Sequence, residues 1–168
     1  MRVSKEFSKN ALYYNSRNII QKKVAQKLLT FVKNNPQSIL DLGCGRGEIC
    51  KNISWSYQQF LGVDFAEGML KLHPKSPNIK TILGDFNNQE LFNTLSKYSF
   101  DYIISASALQ WANDLEMVFK ELNKFNTPVA LAIFTSNTFK TLYKTASIEP
   151  ILRSAQEIET LQKKYFNA

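Results

Sequence analysis

Ser38-Ile39-Leu40-Asp41-Leu42-Gly43-Cys44-Gly45-Arg46-Gly47-Glu48 is the stretch on which the fold of this chain turns. Ile39, Leu40 and Leu42 run directly into three glycines spaced two apart. A short apolar run that does not alternate with polar residues reads as a strand buried on both faces. Glycines at its end read as a sharp strand-to-helix turn that a ligand can approach without meeting a Cβ. Outward from this stretch the same pattern recurs at residues 60–64, 79–83, 100–104 and, most strongly, 129–134.

Helical periodicity fills the gaps. Leu115, Val118, Phe119 and Leu122 fall at i, i+3, i+4 and i+7, with Asn113 or Asp114 placed to cap the start. Ile20, Val24, Leu28, Phe31 and Val32 predict a longer amphipathic helix before the first strand, stopped at Asn34-Asn35-Pro36. Ile148, Ile151, Leu152, Ala155, Ile158 and Leu161 predict one helical stripe toward the C-terminus. Strand–helix alternation of this kind predicts an α/β fold with a doubly wound, mainly parallel sheet.

The chain has 168 residues, 44% hydrophobic and 21% charged, the length and composition of a single globular domain rather than a disordered or fibrous segment. No run reaches the ~18 apolar residues of a membrane span, and the Met1-Arg2-Val3-Ser4-Lys5-Glu6 start lacks the apolar core of a signal peptide. A soluble, cytoplasmic protein is expected. Cys44 and Cys50 are too few for a disulfide scaffold, and the one His cannot complete a Cys2His2 metal site, so both read as reduced structural thiols and no metal is expected. The net charge of +7 fits an acidic partner, nucleic acid or protein, and equally fits a chain simply rich in Lys. The tightest basic groups are only Lys22-Lys23 and Lys163-Lys164, neither of them a basic arm.

In open α/β sheets ligands bind beyond the carboxyl ends of the strands. A dinucleotide fingerprint, G-x-G-x-x-G, would place its third glycine at position 48, which is Glu; the third glycine here is Gly47. Glu48 at a helix start also repels a pyrophosphate, and no P-loop Lys-Ser/Thr follows. Asp41, Asp64 and Asp85 instead place carboxylates at the ends of three successive strands, in register with the glycine loop.

The Asp-x-Gly-x-Gly-x-Gly spacing from Asp41 to Gly47 resembles the first motif of class I S-adenosylmethionine-dependent methyltransferases. That resemblance implies a Rossmann-like methyltransferase sheet and a cofactor with ammonium, carboxylate and sulfonium groups but no phosphate, leaving S-adenosylhomocysteine as product. It implies a cofactor site built from Asp41, Gly43, Gly45, Asp64, Phe65, Met69, Asp85, Phe86 and Ser105. In it Asp64 accepts both ribose hydroxyls, Met69 packs on the adenine, and Asp85 accepts the adenine amino group.

After the fourth strand, Ser105-Ala106-Ser107-Ala108-Leu109-Gln110-Trp111 lacks the Asn/Asp-Pro-Pro-Tyr loop that holds an exocyclic amine, which argues against nucleic acid as substrate. Ala108-Leu109-Gln110-Trp111 is similar to carboxylate O-methyltransferases, those acting on malonyl-acyl-carrier protein in biotin synthesis and on trans-aconitate. Phe7-Ser8, Ala11, Tyr14-Asn15, Ile20-Gln21 and Val24-Ala25 resemble the opening of the biotin-synthesis group, where the segment is a helical lid with Tyr14 facing the site. Thr135-Ser136, Thr138-Phe139 and Leu142 extend the likeness, which covers residues 7–143. Ala106 stands where that group more often has Asn, and Asn126-Thr127-Pro128 replaces its Pro-Gly-Gly turn. The group continues to a sixth and a seventh strand, the last antiparallel; no strand-like run follows residue 134 here.

The expected organisation is one domain over 1–168: lid 1–35, sheet core 36–136 and a C-terminal helical segment 137–168, shortened against the family. The resemblance implies methylation of the free carboxylate of a malonyl thioester on acyl carrier protein. Such a carboxylate is ionised at neutral pH and needs no general base, only placement and removal of water. Tyr14, Gln110 and Trp111 are the expected catalytic walls, with Gln110 hydrogen-bonding an acyl oxygen. A small-molecule carboxylate or RNA methyltransferase, and a cofactor-binding module without turnover, are the alternatives. His73 reads as a loop residue, Trp55 as packing and Cys44 as chemically idle. The stripe from Ile148 to Leu161 is expected to cover the edge of the fifth strand, within one molecule or by self-association.

Overall fold

The computed structural model describes residues 19–166. Five strands form one parallel sheet: β1 Ser38–Leu42, β2 Gln59–Asp64, β3 Ile79–Leu83, β4 Tyr102–Ala106 and β5 Val129–Ala132. Their order is β3-β2-β1-β4-β5, so β1 lies at the centre and the order reverses between β1 and β4. The register aligns Asp41 with Gly62 of β2 and Ile104 of β4. This is the doubly wound α/β architecture expected.

Side chains leave a strand on alternate faces, and the two cores follow that alternation. Leu40 and Leu42 face one layer with Leu61, Val63 and Ile103. Covering it are Leu91, Phe92 and Leu95 of α4 (Gln89–Leu95) and Leu115, Val118, Phe119 and Leu122 of α5 (Leu115–Asn123). Ile39, Phe60, Ile104 and Ala130 face the other layer, closed by Ala25, Leu28 and Leu29 of α1 (Ile19–Leu29) and by Ile49 and Cys50 of α2 (Glu48–Asn52). Asp41 and Asp64 share the parity of Ile39 and Phe60, so both belong to the α1–α2 face. A four-residue helix, α3 (Glu67–Leu70), follows β2.

The first and third strands have their expected bounds, and α5 begins at the Asp114 cap, whose Oδ1 accepts from Met117 N at 2.9 Å. Two strand bounds are corrected. The fourth strand starts two residues later than residue 100, because Asp101 turns aside to accept the N–H groups of Gln37 and Ser38, each at 2.9 Å. The fifth strand stops at Ala132 rather than residue 134. Its partner β4 has ended, and Ser107 (φ +59°) gives the last rung, donating its N–H to the Ala132 carbonyl at 2.8 Å.

The C-terminal stripe is two helices, α6 (Lys140–Ala146) and α7 (Ala155–Tyr165), because Ser147 takes φ +53° and Pro150 follows in the break. α7 packs on α5 rather than on the edge of β5, with Phe166 edge-on to Phe119 at 5.1 Å between ring centres. Ile158 is buried there, whereas Ile148 and Ile151 are exposed. α1 is shorter than its apolar pattern, and Ile20 and Phe31 are exposed while Ala25, Leu28 and Leu29 are buried. The segment with Phe7, Ser8, Ala11, Tyr14 and Asn15 lies outside the described residues.

The start of α7 is held by a reciprocal cap: the Ser154 hydroxyl accepts Glu157 N at 3.2 Å, and Glu157 Oε2 accepts Ser154 N at 2.7 Å. Ser154→Ala should lower stability by about 1 kcal/mol, read as a lower urea midpoint at unchanged slope; an unmoved midpoint would show that packing of α7 on α5 suffices.

Candidate functional site

At the carboxyl ends of the strands a cavity opens, lined from β1 and β2 by Asp41, Gly43, Cys44, Gly45, Asp64, Phe65 and Met69. The loop after β1 is built to hold one shape. Gly43 N and Cys44 N both donate to the Val63 carbonyl, at 2.8 and 2.9 Å, and Gly47 N donates to Cys44 O at 2.9 Å. Gly47 has φ +81°, and a Cβ there would lie 2.6 Å from Pro74 and 2.9 Å from His73, so its lack of a side chain is required twice over. Gly45 also has positive φ, but a Cβ there would meet nothing within 4 Å. That space opens on the cavity.

Asp64 ties this loop to the next. Its Oδ2 accepts Gly45 N at 2.9 Å and its Oδ1 accepts Ala66 N at 2.8 Å. Burial pushes its carboxyl above the ordinary range, and these backbone donors pull against that. The Phe65 backbone is a third donor, and a carboxylate with about four acceptor directions still has capacity for a ligand hydroxyl. Asp41 is only 1% exposed, and its Oδ2 has no hydrogen-bond partner among the described residues. Burial, and then the neighbouring Asp64, push it up to about 8. Two buried carboxylates so arranged favour a cationic ligand that also offers hydroxyl donors.

Two expected cofactor residues are not brought to the cavity wall. Asp85 is exposed, and its Oδ1 accepts both the backbone N–H and the side-chain amide of Asn87 at 2.9 Å. Asn87 Oδ1 in turn accepts Asn113 N at 2.7 Å, so this acid braces a loop; the neighbouring Phe86 lines the cavity. Ser105 is fully buried, and its hydroxyl donates to the Leu42 carbonyl at 2.6 Å, fastening β4 to β1. Ala106, Ser107 and Ala108 form the wall in its place. Met69 is buried in the wall.

On the β4–β5 side the lining is Gln110, Trp111, Phe134 and Leu152. Gln110 Nε2 donates to the Ser107 carbonyl at 2.7 Å, which fixes the side chain. Its Oε1 and the Ser107 hydroxyl are buried with no hydrogen-bond partner among the described residues. Trp111 is 48% exposed, at the mouth. Tyr14 lies outside the described residues. Phe134, Leu152 and Arg46 also reach the wall, though no motif marks them: Phe134 reads as the end of a strand and Leu152 as one member of a helical stripe. The Cys44 thiol is pushed well up by burial and then by Asp41 and Asp64, so it stays protonated. His73 is a loop residue, as expected, but a buried one: its ring lies tilted against Phe60 at 5.8 Å between centres, and burial lowers its pKa. Trp55 packs with the α1–α2 core and donates Nε1–H to the Pro36 carbonyl at 3.1 Å.

A family model described as a methyltransferase domain matches residues 39–128, more than half of the chain. A malonyl-[acyl-carrier protein] O-methyltransferase from Methylovorus is 30% identical over 146 residues, covering 80% of this chain and 49% of that protein. One of the same name from Legionella pneumophila is 32% identical over 150 residues, covering 83% and 52%. The chain thus spans about half the length of these curated relatives. The plantazolicin methyltransferase BpumL, solved with S-adenosylhomocysteine, shares the fold with a TM-score of 0.64 at 17% identity, covering 95% of this chain and 68% of that one.

The buried Asp41 makes stability depend on pH with a definite sign. Its folded pKa of about 8 lies above the ordinary ~3.9 of an unfolded chain, so the folded state keeps a proton that the unfolded state releases. Stability from this group is full at low pH and is lost as pH rises toward 8. The melting temperature of the free protein should fall from about pH 5 to about pH 8 more steeply than that of Asp41→Asn; equal slopes would show that Asp41 is ionised in the free fold.

Proposed function

The chain belongs to the methyltransferase-domain family, and we propose that it uses S-adenosylmethionine to methylate the free carboxylate of a malonyl thioester carried on acyl carrier protein. The observation that carries the cofactor part is the pair of buried carboxylates at the ends of β1 and β2, joined through the Gly45 loop. When bound, the cofactor supplies an electrophilic methyl group on its sulfonium. Asp64 would hold the ribose hydroxyls, Met69 and Phe86 would flank the adenine, and Asp41 would face the cationic end. A cation there also relieves the unfavourable burial of Asp41, drawing off its proton.

The acceptor part rests on what the β4–β5 side offers. Phe134, Leu152 and Trp111 are apolar, and among the described residues lining this side none has a titratable side chain. An acceptor that had to lose a proton on reaction would want a base poised near neutral pH. An ionised carboxylate wants none; it needs only to be held in line and stripped of water. Gln110, locked onto Ser107 through one Nε2–H, would offer its second Nε2–H to an acyl oxygen, and Trp111 shields the mouth. The names of the relatives point to the same acceptor, and a net charge of +7 suits encounter with an acidic carrier.

Incubation with S-adenosylmethionine and malonyl-acyl-carrier protein should give a methyl ester detectable by mass, and trans-aconitate or RNA should not be methylated. Methylation of either of those, with the malonyl thioester left untouched, would replace the acceptor. Asp64→Asn should weaken S-adenosylhomocysteine binding by about 2 kcal/mol, since hydrogen bonds to a charged acceptor are lost; calorimetry showing unchanged affinity would remove Asp64 from the ribose contact.

A further inference from the structure

The turn that carries Gln110 and Trp111 is pinned from both flanks at its far end. Asn87 Oδ1 accepts Asn113 N on one side. On the other, Arg153 Nη2 donates to the Ala112 carbonyl at 2.7 Å and to the Asn113 carbonyl at 3.0 Å. The Arg153 carbonyl accepts Ser136 N at 2.8 Å, joining the segment to the chain that leaves β5. Residues 147–154 therefore form a strap between α6 and α7, fastened at the β4–β5 end of the sheet. Leu152, immediately before this anchor, is 8% exposed and lines the cavity, whereas Ile151 is 80% exposed. Apolar burial alone would not choose Leu152 over its neighbour. The guanidinium bonds to Ala112 and Asn113 do.

We propose that Arg153 is a positioning residue that, through Leu152, sets the length of acyl group accepted for methylation. This rests on the carboxylate-methyltransferase reading above. The cofactor end is formed by β1 and β2, so the acyl group extends from the methyl toward Trp111, Phe134 and Leu152. With its carboxylate at the methyl, its thioester end must clear the wall that Leu152 makes. A fixed wall admits a short dicarboxylic monothioester and misplaces a longer one, and displacement by about an ångström costs on the order of a hundredfold in rate. Both bonds leave one nitrogen, Nη2, whose two N–H groups are fixed in the guanidinium plane, whereas the N–H groups of a lysine ammonium rotate on a flexible stem.

The test compares malonyl, succinyl and glutaryl thioesters on one carrier protein, with S-adenosylhomocysteine affinity measured alongside. The native chain should favour malonyl over glutaryl, and Leu152→Ala should shrink that preference by about tenfold or more. Arg153→Met should raise the KM for malonyl carrier about tenfold and blur the length preference, with cofactor affinity within about twofold; Arg153→Lys should recover part of both. If the native chain methylates none of the three, the carboxylate reading falls and this inference with it. If it methylates malonyl carrier and the variants keep the native length preference, this inference alone is overturned. Loss of cofactor affinity in Arg153→Met together with a uniform fall in rate on all three thioesters would mark Arg153 as merely structural, and would overturn it too.

Discussion

Two backbone N–H groups from different loops converge on one buried carboxylate, and the ligand end of the sheet depends on that convergence. Asp64 accepts from Gly45 and from Ala66, joining the turn after β1 to the turn after β2. Charge-assisted hydrogen bonds of this kind are about twice as strong as neutral ones, and here they act where burial disfavours the charge. The Val63 carbonyl, which accepts Gly43 N and Cys44 N, holds the same loop from β2. Asp64 shapes the loop and also lines the cavity, so the architecture of the loop and the polarity of the cavity rest on one side chain.

Asp41 illustrates the opposite bargain. It occupies a central strand, almost wholly buried, with one oxygen unpartnered among the described residues and a second acid nearby. A buried polar atom left without a partner costs roughly 1–3 kcal/mol. The fold tolerates this because β1 is covered on both faces and over-determined by its pairing with β2 and β4. Strain and unsatisfied polarity concentrate where a ligand can relieve them. Ser107, with its left-handed backbone and unpartnered hydroxyl, is a second such place on the opposite wall.

The two halves of the cavity are supported differently. The β1–β2 half is held by strands and by hydrogen bonds between loops adjacent in sequence order. The β4–β5 half is held by contacts that span the chain: Asn87 to Asn113, Arg153 to Ala112 and Asn113, Ser136 to Arg153. A wall assembled in that way can change its lining by substitution in a strap while the β1–β2 half is untouched, and function varies in such segments more readily than in the scaffold.

Local pattern determined much of this protein. The bounds of β1 and β3, the buried face of α5 with its Asp114 cap, the glycine turn, and Asp41, Asp64, Phe65, Met69, Phe86, Gln110 and Trp111 at the cavity were legible in the chain alone, because strand runs, helical spacing and strand-end carboxylates are short-range signals. Tertiary structure decided the rest. Asp85 stands at a strand end like Asp64, yet its Oδ1 is held by Asn87, which also holds Asn113, and no local spacing records a bond between loops. Ser105 turned inward because a Leu42 carbonyl lay opposite it. Periodicity states that Leu152 and Ile158 are apolar on one face. Only the break at Ser147 and the reach of Arg153 send one into the cavity and the other onto α5. Hydrophobic pattern says that a side chain is buried; what it is buried against is settled by partners far away in sequence.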